Sequence, residues 1–523
     1  MKYDVIVIGG GSAGSDVAAR LAEDAGRSIL LLEAGQDYPD PQMLPDAVRN
    51  GGSNAGEAED SPISWSLRGT INEERGEINV AQGKVIGGSG SINGQVYLRG
   101  LPEDFENWAS WGNDEWTYPK VLSYFRKAET DLDIRDDFHG TEGPLPIVRR
   151  ENEPWPEIQK SFYEACMEMG YKYNEDMNGP NPSGIGAIPM NNRDGVRMST
   201  NLTHLTPMRH RLNLTIRGNV FVRRVLLNGS KAVGVEVESG GETFRIESDS
   251  VVLSAGALKS PHILMLSGIG PRDQLEEFGI PVIQDLPGVG AQLWNHPQSS
   301  VSFRVKDGIE LASNAGALRF GLRVTSEPPS QSNDVMLQTL GVFNVVTGET
   351  LPSGTARISC ALELPDGSGW LRLASADPTV QPAFNYRYFH NGNDIRRMRD
   401  AVRLAARILE SDAYQDVVDG RTTPTDGVLA SDETLDKWIR ENVGTSRHVS
   451  GTCKIGPDSD RMAVVDQHCR VRGVTGLWVA DSSIIPQVTR ANTNATAIMI
   501  GERVADWVAA GATGLPGLTG PGA

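Results

Sequence analysis

The chain has 523 residues, of which 22% are charged and 39% hydrophobic, a composition typical of soluble globular proteins with two or three domains. Its formal net charge of −18 argues against nucleic acid and against an anionic membrane surface as partners, because both bind basic faces. No stretch reaches the ~18 apolar residues of a membrane span. The four cysteines are scattered and form no CxxC pair. This pattern predicts a reducing, cytoplasmic location without disulfides or a zinc site.

The first 35 residues predict a strand, a turn, a helix and a second strand. The segment "DVIVIGG" is β-branched and apolar, "SAGSDVAARLAED" has helical spacing, and "SILLLEAG" is again apolar. The opening run ends in glycines and lacks a cleavage site of small residues. We therefore interpret it as a buried strand and not as a signal peptide.

The turn between the first strand and the helix carries a dinucleotide-binding pattern. Gly9, Gly11 and Gly14 occupy the glycine positions of G-x-G-x-x-G, and Ser12 and Ala13 lie between them. The motif is weak alone, but here it follows a strand and opens a helix. In that context the bare backbone and the helix N-terminus bind a pyrophosphate, so these five residues are predicted to bind a dinucleotide.

Glu33 ends the second strand, and Ala34 follows it. A carboxylate at this distance from the glycine motif suits hydrogen bonds to an adenosine ribose. It also repels a 2′-phosphate, which argues against NADP. These residues alone leave FAD and NAD open.

The middle of the chain predicts a mixed α/β organisation with a second sheet. Residues 36–190 are interpreted as an insertion that carries two helices, and an alternating meander with a turn at Asn228–Gly229 follows. From about 291 to 440, alternating strands precede an amphipathic helix. This order predicts an antiparallel sheet backed by helices.

These patterns divide the chain into predicted domains. Residues 1–290, with the insertion at about 36–190, form the dinucleotide-binding domain, and residues 291–440 form the substrate domain. Residues 441–510 return to strand and helix and are assigned to the first domain. Residues 511–523 are rich in Gly and Pro and are predicted to be disordered.

Two further segments resemble signature patterns of a known family. "GKVIGGSGSINGQVYLRG" begins at Gly83, and "GALKSPHILMLSGIG" begins at Gly256. Together they resemble the two signatures of the glucose–methanol–choline (GMC) oxidoreductases, and landmarks such as "FHGTEGPL" and "RHVSGTCKIG" extend the resemblance over nearly the whole chain. The resemblance implies a Rossmann-like FAD-binding domain joined to an antiparallel-sheet substrate domain, with FAD as the cofactor.

The resemblance also implies where FAD would lie. Val85, Gly88 and Asn93 would lie beside the flavin, and the backbone of Val222 would hold the adenine. Asp481 would lie near the ribityl chain and the pyrophosphate. From the residues alone, the glycine run around Gly88 is equally typical of a tight loop, and Asp481 of a turn or cap.

The mode of FAD attachment is predicted from one departure from the family pattern. Some family members bind FAD covalently through a histidine directly before the asparagine of the first signature, and here that position is Ile92. An isoleucine side chain has no nucleophilic nitrogen. FAD is therefore predicted to be held without a covalent bond at this position.

The stretch "TSRHVSGTCKIG" resembles the family's active-site histidine motif. In the family reaction a hydride leaves an alcohol carbon for flavin N5, and loss of the hydroxyl proton helps it leave. An imidazole has a suitable pKa, so the resemblance implies that His448 is the base. It implies that Asn494 is the partner of His448 and orients the substrate oxygen.

Asn492 and Thr493 begin the last predicted helix. Both are good N-cap residues, and the helix N-terminus would favour a reduced, anionic flavin. Capping without flavin contact is the alternative. His448 and Cys453 lack further close ligands, so no metal site is predicted; Cys453 is interpreted as a small buried residue.

Two other histidines, His139 and His296, are family landmarks and are interpreted as structural. The predicted activity is FAD-dependent oxidation of a small organic alcohol to an aldehyde or ketone, with electrons passed to oxygen, a quinone or another carrier. The acceptor, the alcohol and the oligomeric state stay open. An FAD-containing lyase similar to hydroxynitrile lyases is the alternative. A flavin-binding protein without catalysis is disfavoured, because both His448 and Asn494 are present.

Overall fold

The computed structural model describes residues 2–151, 153–311, 318–327, 331–340 and 352–511. The predicted disordered tail falls outside these ranges except for Gly511, which ends the last helix. None of the described helices combines the length and the apolar character that a membrane crossing needs.

Helices and strands alternate along the described residues. The α-helices are α1 (Ser12–Leu21), α2 (Asp46–Arg49), α3 (Pro102–Ser110), α4 (Tyr118–Ala128), α5 (Glu157–Glu168), α6 (Thr206–Met208), α7 (Ser260–Leu266), α8 (Arg272–Glu277), α9 (Gly392–Leu409), α10 (Asp426–Leu429), α11 (Asp432–Asn442) and α12 (Thr493–Gly511). The strands are β1 (Lys2–Ile8), β2 (Ile29–Leu32), β3 (Leu67–Thr70), β4 (Glu77–Val80), β5 (Glu129–Asp131), β6 (Leu145–Ile147), β7 (Tyr173–Asn174), β8 (Gly184–Ala187), β9 (Asn192–Arg193), β10 (Val196–Arg197), β11 (Leu214–Arg217), β12 (Phe221–Asn228), β13 (Lys231–Ser239), β14 (Glu242–Leu253), β15 (Ile269–Gly270), β16 (Gln284–Asp285), β17 (Pro297–Val305), β18 (Phe320–Val324), β19 (Val335–Leu340), β20 (Thr355–Leu362), β21 (Trp370–Arg372), β22 (Ala383–Asn385), β23 (Val418–Thr423), β24 (Gly444–Thr445) and β25 (Leu477–Val479).

The first sheet has seven strands in the order β11-β2-β1-β14-β13-β12, with β25 beside β14. β1 pairs in parallel with β2 and β14, whereas β12, β13 and β14 pair antiparallel. Every residue of β2 is buried, as expected for a parallel strand that is covered on both faces. The sheet therefore combines a dinucleotide-binding core with an antiparallel extension, as the predicted mixed α/β fold requires.

The predicted meander, which spans residues 214–239, is confirmed for β12 and β13 and wrong for β11. The turn between β12 and β13 contains Gly229 with a φ of +59°, as its Asn-Gly pair predicts. β11 instead pairs in parallel with β2. The chain turns between β11 and β12 at Gly218 and Asn219, and Asn219 adopts the left-handed conformation.

The glycine motif lets α1 approach the first sheet closely. Gly9 has a φ of +94°, and a Cβ atom there would lie 2.5 Å from the carbonyl oxygen of Ser254. A Cβ atom on Gly14 would lie 2.0 Å from the carbonyl oxygen of Gly9. Only glycine fits at these two positions, so the motif shapes the turn and the packing of helix on strand.

The second sheet has eight strands in the order β23-β17-β20-β19-β18-β8-β7, with β24 beside β17. It is antiparallel except for β7 and β8, which pair in parallel. The predicted amphipathic helix is α9, which packs on β17 and β20. β7 and β8 come from the predicted insertion in the dinucleotide-binding domain, so this sheet draws on residues before position 291.

The end of the chain returns to the first sheet. β25 pairs with β14, and α12 packs along α1. Between the two helices, the guanidinium of Arg20 donates to the buried carboxylate of Glu502 at 2.8 Å. The N-termini of α1 and α12 consequently lie at the same edge of the sheet.

We predict that Gly14→Ala destabilises the protein. The added methyl group would meet the backbone of the Gly9 turn, which cannot move away as a flexible side chain could, and overpacking of this kind costs about 1–3 kcal/mol or more. The melting temperature should fall. Gly427→Ala is the matched control, because its Cβ atom would meet no atom within 4 Å; equal melting temperatures for the two variants would contradict the packing role of Gly14.

Candidate active site

An elongated cavity of about 450 Å³ is lined by residues from both large sheets. Most of the predicted site residues line it: Gly9, Gly11, Ser12, Ala13, Glu33, Ala34, Gly88, Asn93, Val222, His448, Asp481, Asn492, Thr493 and Asn494. Gly14 and Val85 do not. The sequence therefore located one continuous site from segments that are far apart in the chain.

One end of the cavity is formed by Glu33, Ala34 and Val222. Glu33 accepts hydrogen bonds from the backbone nitrogens of Gly10 at 2.9 Å and Gly35 at 2.8 Å. Burial raises the pKa of its carboxyl to about 7, against the effect of these hydrogen bonds. Each carboxylate oxygen has a second lone pair, so Glu33 can still accept from a ribose hydroxyl in the cavity.

Another part of the cavity wall is formed by two helix N-termini. The hydroxyl of Ser12, the first residue of α1, donates to Oδ1 of Asn494 near the start of α12 at 2.7 Å. Unpaired backbone N–H groups and the positive ends of both helix dipoles therefore face the same part of the cavity. This arrangement suits the phosphates of a dinucleotide and the anionic edge of a reduced flavin.

Asp481 both caps a turn and lines the cavity. Its Oδ1 accepts from the backbone nitrogen of Ser483 at 2.8 Å. Its Oδ2 accepts from the backbone nitrogen of Gly256 at 2.9 Å and from the hydroxyl of Ser260 at 2.5 Å. Asp481 can therefore cap this turn and also contact a cofactor in the cavity.

The residues of the cavity wall fit an extended cofactor. Gly94 and Gly256 line the cavity, and a Cβ atom built on either meets no protein atom within 4 Å. His262 lines the same cavity, and its buried Nε2 atom forms no hydrogen bond with the part of the chain that the structure describes. Open space beside bare backbone and an unpaired buried nitrogen both indicate room for a polar ligand.

Val85 does not contact the cavity as the family resemblance implied. Its side chain packs in a separate hydrophobic cluster with Leu44, Val48, Ile63 and Ile92. Ile92 belongs to this cluster and also lines the cavity. Its apolar surroundings explain why an isoleucine, and not a polar side chain, occupies this position.

Arg197 was missed by the sequence interpretation. It is 1% exposed and donates five hydrogen bonds to backbone carbonyls: Asn93 at 2.8 Å, Ala47, Val48 and Ser91 at 2.9 Å, and Ser53 at 2.7 Å. Burial lowers its pKa to about 10. Arg197 thereby fixes the segment 47–53 to the loop that carries Asn93.

His448 pairs with Asn492 and not with Asn494. The amide nitrogen Nδ2 of Asn492 lies 3.0 Å from Nε2 of His448, whereas Asn494 is turned toward Ser12. Asn492 directly precedes α12, so its side chain faces the histidine, and Asn494 lies in the first turn on the side of α1. The expected pairing of His448 with Asn494 is therefore corrected to Asn492.

The other ring nitrogen of His448 contacts His296, which the sequence interpretation treated as structural. The two Nδ1 atoms lie 2.7 Å apart. Oδ1 of Asn295 accepts from the backbone nitrogens of both histidines, at 2.9 Å from His296 and 2.7 Å from His448, and so fixes their relative position. Burial lowers the pKa of each histidine to about 3, so both imidazoles are neutral at neutral pH.

The hydrogen bonds define which nitrogen of His448 can take a proton. Nε2 accepts from the amide of Asn492 if it is unprotonated, and Nδ1 then carries the proton and donates to His296. The single lone pair of Nε2 accepts from the Asn492 amide here, and an alcohol hydroxyl that displaced this hydrogen bond would donate to the same lone pair. This is the tautomer that a general base needs.

Beyond His448 the cavity is lined by alternate residues of the second sheet. β19 contributes Met336, Gln338 and Leu340, and β20 and the residue after it contribute Ser359, Ala361 and Glu363. The alternation follows from the period of two in a strand. This end is mixed in polarity, as expected for a small organic molecule with hydrogen-bonding groups.

The chain matches family models over both of its halves. Residues 3–298 match the N-terminal model described as GMC oxidoreductase, and residues 365–501 match the C-terminal model of the same description. An uncharacterised GMC-type oxidoreductase of Rhodococcus erythropolis is 35% identical over 96% of this chain and 97% of its own length. The oxygen-dependent choline dehydrogenase of Photobacterium profundum is 33% identical over 96% of this chain and 92% of its own length.

Two solved structures superpose on nearly the whole of this chain. Pyridoxine 4-oxidase from Mesorbium loti superposes with a TM-score of 0.89 and 29% identity, covering 97% of this chain and 99% of that one. A formate oxidase superposes with a TM-score of 0.90 and 25% identity, covering 98% of each chain.

We predict that Arg197→Leu weakens both the fold and cofactor retention. The change leaves buried carbonyls without donors, at a cost of about 1–3 kcal/mol for each. The melting temperature should fall, and FAD should be lost on gel filtration more readily than from the native protein. Arg304→Gln is the matched control, since Arg304 is exposed and pairs with Asp419; an Arg197→Leu protein that melts and retains FAD like this control would exclude the role.

Proposed function

The chain belongs to the GMC oxidoreductase family, and we propose from this that it oxidises a small organic alcohol to an aldehyde or ketone with FAD. FAD is held without a covalent bond, and the electrons pass to oxygen or another acceptor. The observation that supports the proposal best is the neutral His448, whose Nε2 atom accepts from the Asn492 amide in the wall of a cavity that both large sheets line.

The residues that line the cavity have separate tasks in this proposal. When FAD is bound, it supplies the hydride acceptor that alcohol oxidation needs. Nε2 of His448 takes the hydroxyl proton, and the amide of Asn492 orients the hydroxyl oxygen. The N-terminus of α12, which starts at Thr493, provides N–H groups and positive potential for developing negative charge.

The residues that would bind FAD are Glu33, the glycine motif and Asp481. None of them takes part in the proton transfer. The Ser12–Asn494 hydrogen bond ties the two helix N-termini that would bind its phosphates and flavin edge. His448 and Asn492 are half-buried in the cavity wall, so a substrate that fills the cavity would exclude water from the proton transfer between its hydroxyl and the imidazole. Proton acceptance and cofactor binding therefore depend on different residues and can be tested apart.

The choline dehydrogenase, the pyridoxine 4-oxidase and the formate oxidase named above favour oxidation over the lyase alternative. The polar residues Gln298, Gln338 and Ser359 in the substrate end favour an alcohol with further hydrogen-bonding groups. We propose a cytoplasmic location, supported by four free and buried cysteines. The electron acceptor is proposed only as a class: oxygen, a quinone or a protein carrier.

The first test concerns the cofactor. The purified protein should be yellow, and acid or heat precipitation should release FAD into the supernatant, because Ile92 offers no linking nitrogen. Separation of the supernatant from the precipitate, followed by chromatography of the flavin, measures this. A flavin that stays with the precipitated chain contradicts non-covalent binding, and a colourless protein that FAD does not reconstitute contradicts the cofactor.

The second test concerns His448. His448→Ala removes the proton acceptor but none of the groups at the adenosine end, so FAD should stay bound while flavin reduction by alcohol slows by roughly 100- to 10,000-fold. Stopped-flow reduction without oxygen measures the rate. Because the pKa of His448 is lowered to about 3, the imidazole is unprotonated at neutral pH. The rate of the native protein should therefore be level around neutral pH and fall only in acid.

Three further variants serve as controls for His448. Asn492→Ala should slow reduction less than His448→Ala, because it removes orientation but not the proton acceptor. Asn494→Ala should act first on FAD affinity, because Asn494 contacts Ser12 and not His448. His390→Ala removes an exposed histidine and should match the native protein. A His448→Ala protein that reduces FAD at the native rate would remove His448 from the mechanism.

A further inference from the structure

Glu363 is a buried carboxylate at the substrate end of the cavity. It follows β20 directly, is 4% exposed and lines the cavity. Its backbone nitrogen donates to the carbonyl of Asp334 at 2.8 Å, which fixes the main chain. Its Oε2 atom is buried, and no described residue forms a hydrogen bond with it. An unpaired buried carboxylate oxygen is costly, so its retention points to a role in the site.

The side chain of Glu363 approaches the two histidines of the site. Its Oε2 lies 3.5 Å from Nδ1 of His296. That same Nδ1 atom lies 2.7 Å from Nδ1 of His448, and the two rings meet edge to face at an angle of 79°. Oε2 of Glu363 and Nδ1 of His448 thus both approach the same ring nitrogen of His296, which joins the carboxylate to the proposed base.

The arrangement of Glu363, His296 and His448 compensates the positive charge that His448 gains when it takes a proton. Burial lowers the pKa of His448 and of His296, so a proton taken from an alcohol places positive charge where the protein disfavours it. Burial also raises the pKa of Glu363, and the charge of His448 opposes this rise. Each charged form therefore stabilises the other.

Other charged groups near Glu363 are already engaged. Arg323 donates to the carbonyls of Met177 and Arg490, at 3.0 Å and 3.2 Å. Asp104 accepts from Nε of Arg490 at 2.8 Å, so its charge is compensated. Within the described residues, Glu363 is the acidic side chain that touches the histidine pair.

We propose, on the basis of the alcohol oxidation proposed above, that Glu363 is a positioning residue that acts through His296. In the proton-transfer step the O–H bond of the alcohol breaks, and an N–H bond forms at Nε2 of His448. The proton on Nδ1 of His448 is then shared with Nδ1 of His296, and the carboxylate of Glu363 neutralises the positive charge. Bound FAD would accept the hydride, so both electrons would leave with it and none would reside on these side chains.

The sequence also carries a signal for the role of Glu363. Strand β20 and its flanks read "TARISCALEL", in which Glu363 is the single acidic residue in an otherwise apolar second half. A charge at the end of a buried strand is unusual unless it is paired or functional. Its position relative to His296 depends on the pairing of β17 with β20, which brings Gln298 opposite Ala361.

The test compares Glu363→Gln and Glu363→Asp with the native protein. Anaerobic reduction of bound FAD by an alcohol that reduces the native protein should slow by roughly 10- to 100-fold in Glu363→Gln, the range found for partners that orient functional histidines. Glu363→Asp keeps the charge and should recover part of the rate. The flavin spectrum and the melting temperature confirm that each variant is folded and loaded.

A double-mutant cycle separates action through His296 from a general effect on the fold. In a His296→Phe background, Glu363→Gln should slow reduction further by less than about 2-fold, because coupled residues are not additive. Glu103→Gln is the control for loss of one negative charge, since Glu103 is exposed and does not line the cavity. It should retain the native rate.

The outcomes distinguish this inference from the proposed function. A native protein whose FAD no alcohol reduces would overturn the alcohol oxidation and the inference together. A native protein that reacts while Glu363→Gln reacts equally fast would overturn only the inference. Additive losses in the cycle, or an Asp variant as slow as the Gln variant, would also overturn it, because the carboxylate would then be a packing residue.

Discussion

The site depends on the convergence of two helix N-termini that are 482 residues apart at the Ser12–Asn494 hydrogen bond. α1 brings the glycine turn, and α12 brings Asn492 beside His448. The buried Arg20–Glu502 pair and the close packing at Gly14 fix the two helices against each other. If either helix shifted, the dinucleotide-binding end and the proton-accepting end of the cavity would no longer be aligned.

The chemistry then follows from burial. Desolvation lowers the pKa of the His448 imidazole, so it is unprotonated at neutral pH, but on taking a proton it gains a charge that its surroundings disfavour. Neighbouring side chains can compensate this charge. The amide of Asn492 contacts one ring nitrogen of His448, and His296, with Glu363 beside it, contacts the other. The second sheet therefore contributes to proton transfer as well as to the substrate wall.

Local patterns could predict the parts of the site whose chemistry is set by adjacent residues. The glycine turn, Glu33 and the start of α12 are of this kind, and the structure brings them to one cavity. The choice between Asn492 and Asn494 could not be predicted, because residues two apart at a helix start face different neighbours. His296 and Glu363 reach the site through strand pairing across the second sheet, which sequence spacing does not encode. The pairing of β11 with β2 could not be predicted for the same reason.

The measurement that tests the central claim most directly is anaerobic exposure of the purified, FAD-loaded protein to a panel of small alcohols, followed by admission of air. The account predicts that at least one alcohol bleaches the yellow flavin in the native protein, and that an electron acceptor from the proposed classes restores the colour. An FAD-loaded, folded protein that no alcohol bleaches would contradict the claim that this cavity is built to take a proton and a hydride from an alcohol.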